Sequence, residues 1–218
     1  MGKGVLFLSG GGSEKESYNL DKEFAKLLKK KLLYIPIALN EIKHPYPECL
    51  KWIKKVFRQF NFESIEMWTD LSGHTKQDML KFDGVYIGGG NTFKLLKQLK
   101  DTKFDKLLVD YYKTGGNIYG GSAGAIILGR DIITASKNDK NEAELKETLG
   151  LNLINNFSIC CHYKPGEDKI IFELINTHKL KVIALPEDAG ILIRKESINC
   201  IGNGKVFIFE KNKKRAMK

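Results

Sequence analysis

The stretch Gly116-Asn117-Ile118-Tyr119-Gly120-Gly121-Ser122-Ala123-Gly124-Ala125-Ile126-Ile127-Leu128 joins two apolar runs through a turn made of small residues. Gly116 to Tyr119 reads as a strand and Ala125 to Leu128 as the start of an apolar helix, with Ser122 at the centre of a Gly-x-Ser-x-Gly frame. A tight strand-to-helix turn forces its central residue into a strained conformation, so the flanking positions must be small. The serine hydroxyl then projects from the C-terminal edge of a sheet, where crevices form in open α/β folds. The Ala123 amide lies at the helix N-terminus, where an unsatisfied N–H and the helix dipole favour a developing negative charge.

Outward from this turn, short apolar runs alternate with helical patterns, as in a mainly parallel sheet with helices on both faces. Val5 to Leu8, Leu32 to Ala38, Ile65 to Trp68 and Gly84 to Ile87 read as strands before the serine, and Phe157 to Cys161 as one after it. Helical spacing marks Leu20 to Leu28, Cys49 to Phe60, Phe93 to Leu99, Phe104 to Tyr112 and Asp168 to Asn176. Val182 to Leu185, Gly190 to Arg194 and Val206 to Glu210 are short strands of a final third with a different character. Asn203-Gly204 predicts a two-residue hairpin turn. The polar segment from Asn138 to Glu147 reads as a loop running into a short helix. No linker or repeat divides residues 1–218, so one domain is expected.

Composition narrows the class. Of 218 residues, 42% are hydrophobic and 28% charged, values of an ordinary globular chain with a sizeable core. Gly4 to Leu8 is too short for a signal-peptide core or a membrane span, and the expectation is a cytoplasmic protein without membrane association. Cys49, Cys160, Cys161 and Cys200 lack zinc-binding spacing, which fits reduced thiols. The net charge of +10 raises nucleic acid as a partner. The lysines, however, are dispersed (Lys29-Lys30-Lys31, Lys54-Lys55, Lys211 to Lys218) with no aromatic platform among them, so solvated surface is the better reading.

A serine hydroxyl needs a base within hydrogen-bond reach to act as a nucleophile. His44 sits in a proline-rich loop, His74 in a polar loop and His178 at the end of a helix. His162 directly follows the strand ending at Cys161, and if that strand runs parallel to the serine strand it emerges at the same edge. A carboxylate should orient the imidazole. Glu187, after the strand ending at Leu185, and Asp139, in the loop beyond the serine helix, are both candidates. Gly88-Gly89-Gly90-Asn91 could bring a second backbone donor to the substrate. Neither this run nor Gly10-Gly11-Gly12 has the flanks of a phosphate-binding loop.

Gly88-Gly89-Gly90-Asn91-Thr92, Gly121-Ser122-Ala123-Gly124-Ala125, Cys161-His162-Tyr163 and Leu185-Pro186-Glu187 follow one another in the order seen in the peptidase S51 family, which this chain resembles over most of its length. The resemblance implies a three-layer αβα flavodoxin-like fold related to class I glutamine amidotransferases, with C-terminal hairpins. It implies Ser122 as nucleophile, His162 as base, and the Gly90 and Ala123 amides as oxyanion hole. Glu187 is the favoured third member, with Asp139 the other possibility, and Gly89, Asn91 and Lys169 are candidates for substrate contact. It implies no metal or organic cofactor, a small peptide as partner, and a monomer or homodimer. The family's aspartyl dipeptidases carry arginines after the histidine strand, whereas Gly166 to Ile170 here offers Lys169.

The leading expectation is therefore hydrolysis of short peptides through an acyl-serine, with α-aspartyl peptides among the possible substrates. An esterase of the α/β-hydrolase kind shares the serine turn, but its order of Ser, acid and His differs from the order Ser122, His162, Glu187. A binding module that keeps the turn as architecture is the non-enzymatic alternative.

Overall fold

The computed structural model describes residues 2–28, 31–211 and 213–217; Lys29, Lys30 and Lys218 of the basic runs lie outside the described residues. The strands before the serine are β1 (Val5–Ser9), β2 (Lys31–Ile35), β3 (Ser64–Met67) and β4 (Gly84–Ile87), and β5 (Asn117–Gly121) leads into it. Between them run α1 (Glu14–Leu27), α2 (Tyr46–Phe57), α3 (Lys76–Met79), α4 (Thr92–Asp101) and α5 (Phe104–Lys113). After the serine come α6 (Ala123–Leu128), β6 (Phe157–Cys160), α7 (Asp168–His178), β7 (Lys181–Ala184), β8 (Ala189–Arg194), β9 (Ser197–Gly202), β10 (Phe207–Glu210) and β11 (Lys213–Ala216).

The large sheet has the order β3-β2-β4-β5-β1-β8-β9. Its first five strands are parallel, and β8 and β9 are added antiparallel at the β1 side. Alternation along the strands assigns each face its helices. Leu6, Leu8, Leu33, Ile35, Val85 and Ile87 pack with Leu96, Leu99, Phe104, Leu108 and Ile127 from α4, α5 and α6. Val5, Phe7, Leu32, Tyr34 and Tyr119 pack on the other face with Phe24 of α1 and Ile53 and Phe57 of α2. This is the three-layer αβα arrangement of the flavodoxin-like class.

The second sheet, β11-β10-β7-β6, corrects one premise of the sequence reading. The strand before His162 is parallel to β7 and does not belong to the serine's sheet. One face of this sheet holds α7, through Val182, Ala184 and Phe209 against Ile171 and Ile175. The opposite face, with Ile159, Ile183 and Ile208, joins the core of the large sheet.

Other local expectations also change. Asn203-Gly204 is not a hairpin turn: β9 and β10 lie in different sheets, and the Asn203 amide donates to the Asp188 carbonyl as the chain crosses between them. A tight hairpin instead joins β8 to β9 through Lys195-Glu196, with Lys195 at φ 57°. The segment from Asn138 to Glu147 contains no helix; the helical turn there is a 3-10 segment before it, Ile132–Lys137. The basic tail forms β11, an edge strand whose residues are exposed, although Lys214 reaches back to Asp168 at 2.9 Å and to the Tyr163 hydroxyl at 2.8 Å. No helix among the described residues is long and apolar enough to cross a membrane.

One polar side chain breaks the apolar inner face of α1. Asp21 is 2% exposed; its Oδ2 accepts from Ser17 Oγ at 2.8 Å, while Oδ1 has no partner among the described residues. Burial lifts its carboxyl to about 6, only partly offset by the nearby Tyr119 and Ser17 hydroxyls. Such a group holds its proton longer folded than unfolded, so its contribution is full below about pH 4 and is lost as pH rises through about 6. We predict that Asp21→Asn raises stability at pH 7 by up to about 3 kcal/mol and brings no gain at pH 4. Denaturant titrations of both proteins at the two pH values check this, and an equal effect at both would contradict it.

Candidate active site

Ser122 stands between β5 and α6 with φ 49° and ψ −109°, a conformation that costs a non-glycine residue about 1–3 kcal/mol. The surroundings hold it there. Its amide donates to the Ser9 carbonyl at 3.2 Å, and its carbonyl accepts from Ala125 and Ile126 at 2.8 and 3.0 Å. α6 then folds back so closely that a Cβ on Gly120 would collide with the Gly124 carbonyl, and one on Gly124 with the Ile87 carbonyl. The small residues of the frame are thus required by strand–helix packing.

His162 also has positive φ, 53°, and its backbone is fixed at both ends. Its N–H donates to the Gly10 carbonyl at 3.0 Å, and its carbonyl accepts from Lys137 Nζ at 3.1 Å. The His162 ring reaches Ser122 Oγ with Nε2 at 2.8 Å and Glu187 Oε1 with Nδ1 at 2.9 Å. With Glu187 ionised, Nδ1 carries the proton and Nε2 is free to accept from the hydroxyl. The Glu187 side chain is 43% exposed, so this bond is partly solvated. Asp139 borders the same hollow, but its Oδ2 accepts from the Thr92 amide at 2.8 Å and the Thr92 hydroxyl at 2.6 Å. It anchors the start of α4, and Glu187 is the carboxylate on the histidine.

Gly89 and Gly90 border the hollow with Ser122 and His162. Neither the Gly90 nor the Ala123 amide donates to any acceptor among the described residues. Asn91 caps α4, accepting from the Lys94 amide at 2.9 Å while its Nδ2 donates to the Lys140 carbonyl at 2.8 Å. Its side chain is thereby tied to the scaffold. Lys169 is exposed on the first turn of α7 and is not among the residues that line the hollow. Among the described residues, no three His, Cys, Asp or Glu side chains converge as a metal site requires.

Three contributors escaped the sequence reading. Lys137 has a side chain only 7% exposed and pairs with Glu167 at 2.6 Å. Burial acts to raise Glu167, but Lys137 and the Lys164 amide outweigh it and hold the carboxyl below its usual range. Nothing in a lysine-rich sequence distinguishes this one cation. Cys161 borders the hollow too, yet complete burial drives its thiol well above its ordinary value, so it stays protonated beside the serine. Gly11, at φ +99°, is the third: a Cβ there would stand 2.5 Å from His162 Cε1 and 2.9 Å from Ser122 Cβ. Its signal was the glycine run after β1.

A serine–histidine–carboxylate relay at the C-terminal edge of a flavodoxin-like sheet is hydrolase architecture. The chain belongs to peptidase family S51, whose model matches residues 5–201, and it is accordingly a peptidase. An uncharacterized peptidase of Listeria innocua is 32% identical over 209 residues, covering 92% of this chain and 98% of that protein. Peptidase E of a Nostoc species is 28% identical over 226 residues, covering 96% and 90%. Among solved structures, a Listeria monocytogenes protein assigned to Peptidase E superposes with a TM-score of 0.73 at 25% identity, covering 93% of this chain and all of that one. A peptidase from an acI-B1 actinobacterium shares the fold, with a TM-score of 0.68 at 18% identity over 99% and 94% of the two chains.

Gly11→Ala tests how closely the site depends on that bare backbone. The added methyl meets the His162 ring at a backbone angle unsuited to alanine. We expect a folded protein whose peptidase activity falls by about a hundredfold or more, because displacing the ring by an ångström spoils its alignment. Circular dichroism beside steady-state kinetics distinguishes this from unfolding; a fully active variant would refute it.

Proposed function

We propose that this chain is a serine peptidase that cleaves short peptides through an acyl-Ser122 intermediate. The observation that carries the proposal is the continuous relay from Ser122 Oγ through His162 to Glu187, at 2.8 and 2.9 Å. His162 Nε2 takes the hydroxyl proton as Oγ attacks the scissile carbonyl carbon, and Glu187 stabilises the imidazolium that results. The oxyanion forms beside the Gly90 and Ala123 amides. Collapse of the tetrahedral species breaks the C–N bond, and His162 returns the proton to the leaving amine. Water then enters, giving one proton to His162 and its oxygen to the acyl carbon, and the second collapse restores Ser122 and releases the carboxylic product.

The lack of a guanidinium in the segment after β6, with Lys169 outside the hollow, favours substrates other than α-aspartyl peptides. Ser122→Ala is expected to lower kcat by at least about a thousandfold with the fold retained, and to abolish labelling by a fluorophosphonate. Glu187→Gln is expected to keep labelling but lower kcat by roughly ten- to a thousandfold, less than a fully buried carboxylate would. Undiminished peptide cleavage by Ser122→Ala would sink the serine mechanism.

A further inference from the structure

Gly89 separates two hollows. On one side it faces the nucleophile turn, where a Cβ would stand 3.3 Å from Ser122 Cβ and 3.9 Å from Oγ. On the other it borders a hollow of about 450 Å³ lined by Tyr34, Leu39, Pro45, Cys49, Trp52 and Gly88. Leu39 borders both spaces as well. The second hollow thus adjoins the space over Ser122 through Gly89 and Leu39.

The walls specify what would fill it. Trp52 lies on the hollow side of α2, 37% exposed, with its ring 6.3 Å from those of both Tyr34 and Tyr86. A large aromatic left partly in water beside two buried rings forms an open-ended aromatic wall. Tyr34 is 1% exposed, yet its hydroxyl has no hydrogen-bond partner among the described residues. That hydroxyl would lie 3.4 Å from a Cβ on Gly88, at the floor of the hollow. Burial raises the phenol above its usual value, so it remains a neutral donor. The two formally charged residues of the lining, Lys43 and Glu48, sit on exposed positions and are of opposite sign, and His44 beside them is exposed as well. A carboxylate pushed past them would lose its water and meet no buried cation in the lining, which is unfavourable, whereas an aromatic or aliphatic side chain would gain from burial.

We propose that this hollow is the subsite for an aromatic or large aliphatic side chain next to the scissile bond, so that the enzyme selects neutral apolar residues over aspartate. The proposal rests on the serine-peptidase reading above and names its substrate class. The intact protein should be assayed on dipeptides bearing Asp, Ala, Leu, Phe or Tyr at the first position with the second fixed, then at the second with the first fixed. At one of the two positions, Phe, Tyr or Leu should exceed Ala in kcat/KM by roughly tenfold or more, with Asp the poorest. Trp52→Ala should bring the Phe-to-Ala ratio towards one, and Trp52→Phe should restore most of it; melting curves verify that both variants fold. Equal rates for Phe and Ala at both positions, faster cleavage of Asp, no turnover of any member, or a ratio that survives Trp52→Ala would each overturn the subsite. Fluorophosphonate labelling separates the two levels: an unlabelled Ser122 defeats the serine mechanism, while labelling with cleavage but no apolar preference defeats the subsite alone.

Discussion

Two neighbouring carbonyls at the end of β1 tie the site together. Ser9 O accepts from the Ser122 amide at 3.2 Å, and Gly10 O accepts from the His162 amide at 3.0 Å. The first bond belongs to the large sheet, because β1 and β5 are paired neighbours. The second reaches across to the sheet that carries β6. Nucleophile turn and histidine thus hang from consecutive residues of one strand end, although their own strands lie in different sheets. The Cys161 thiol, donating to Ser9 O and Ser122 O at 3.6 Å, reinforces the same junction.

This junction explains what could be read from the sequence and what could not. Ser122 was legible because a strand-to-helix turn against a close-packed helix accepts only small neighbours, and Gly120 and Gly124 record that demand directly. The central parallel strands β1, β2 and β4 were legible for a related reason: strands covered on both faces read as nearly unbroken apolar runs. The second sheet was not. A strand end gives the same apolar pattern whichever sheet it joins, so the sequence around His162 carries no mark of its partner strand. Likewise Asn203-Gly204 has the composition of a hairpin turn, but the chain uses it to change sheets. Asp139 and Glu187 looked alike because both follow apolar segments into loops; only the approach of Thr92 to one and of the imidazole to the other separates them.

Positive φ at Ser122, His162 and Gly11 places three adjacent backbone segments in left-handed or strained conformations at one point. Two of these carry side chains, so the surrounding fold must hold them against their own preference. Hydrogen bonds do so at each residue's amide, and at His162 the Lys137 ammonium grips the carbonyl as well. Lys137 is itself neutralised by Glu167, which lets a cation sit where water is nearly excluded. Glu167, in the loop after β6, thus helps lock the histidine's backbone by holding the Lys137 ammonium at 2.6 Å.

The same region bears on substrate choice. A lysine buried in an ion pair and bonded to a main-chain carbonyl is not free to attract a substrate carboxylate, and Lys169 faces solvent beyond the hollow. The subsite proposed above places selectivity on the other wall instead, where Gly88 and Gly89 leave the backbone bare. Glycine at these positions borders two spaces at once, one towards Ser122 and one towards Trp52 and Tyr34, and in the proposed subsite the first takes the peptide backbone and the second a side chain. On the proposed subsite, a single bare segment at the end of β4 would couple the chemistry of the serine turn to a specificity set by the residues of β2 and α2.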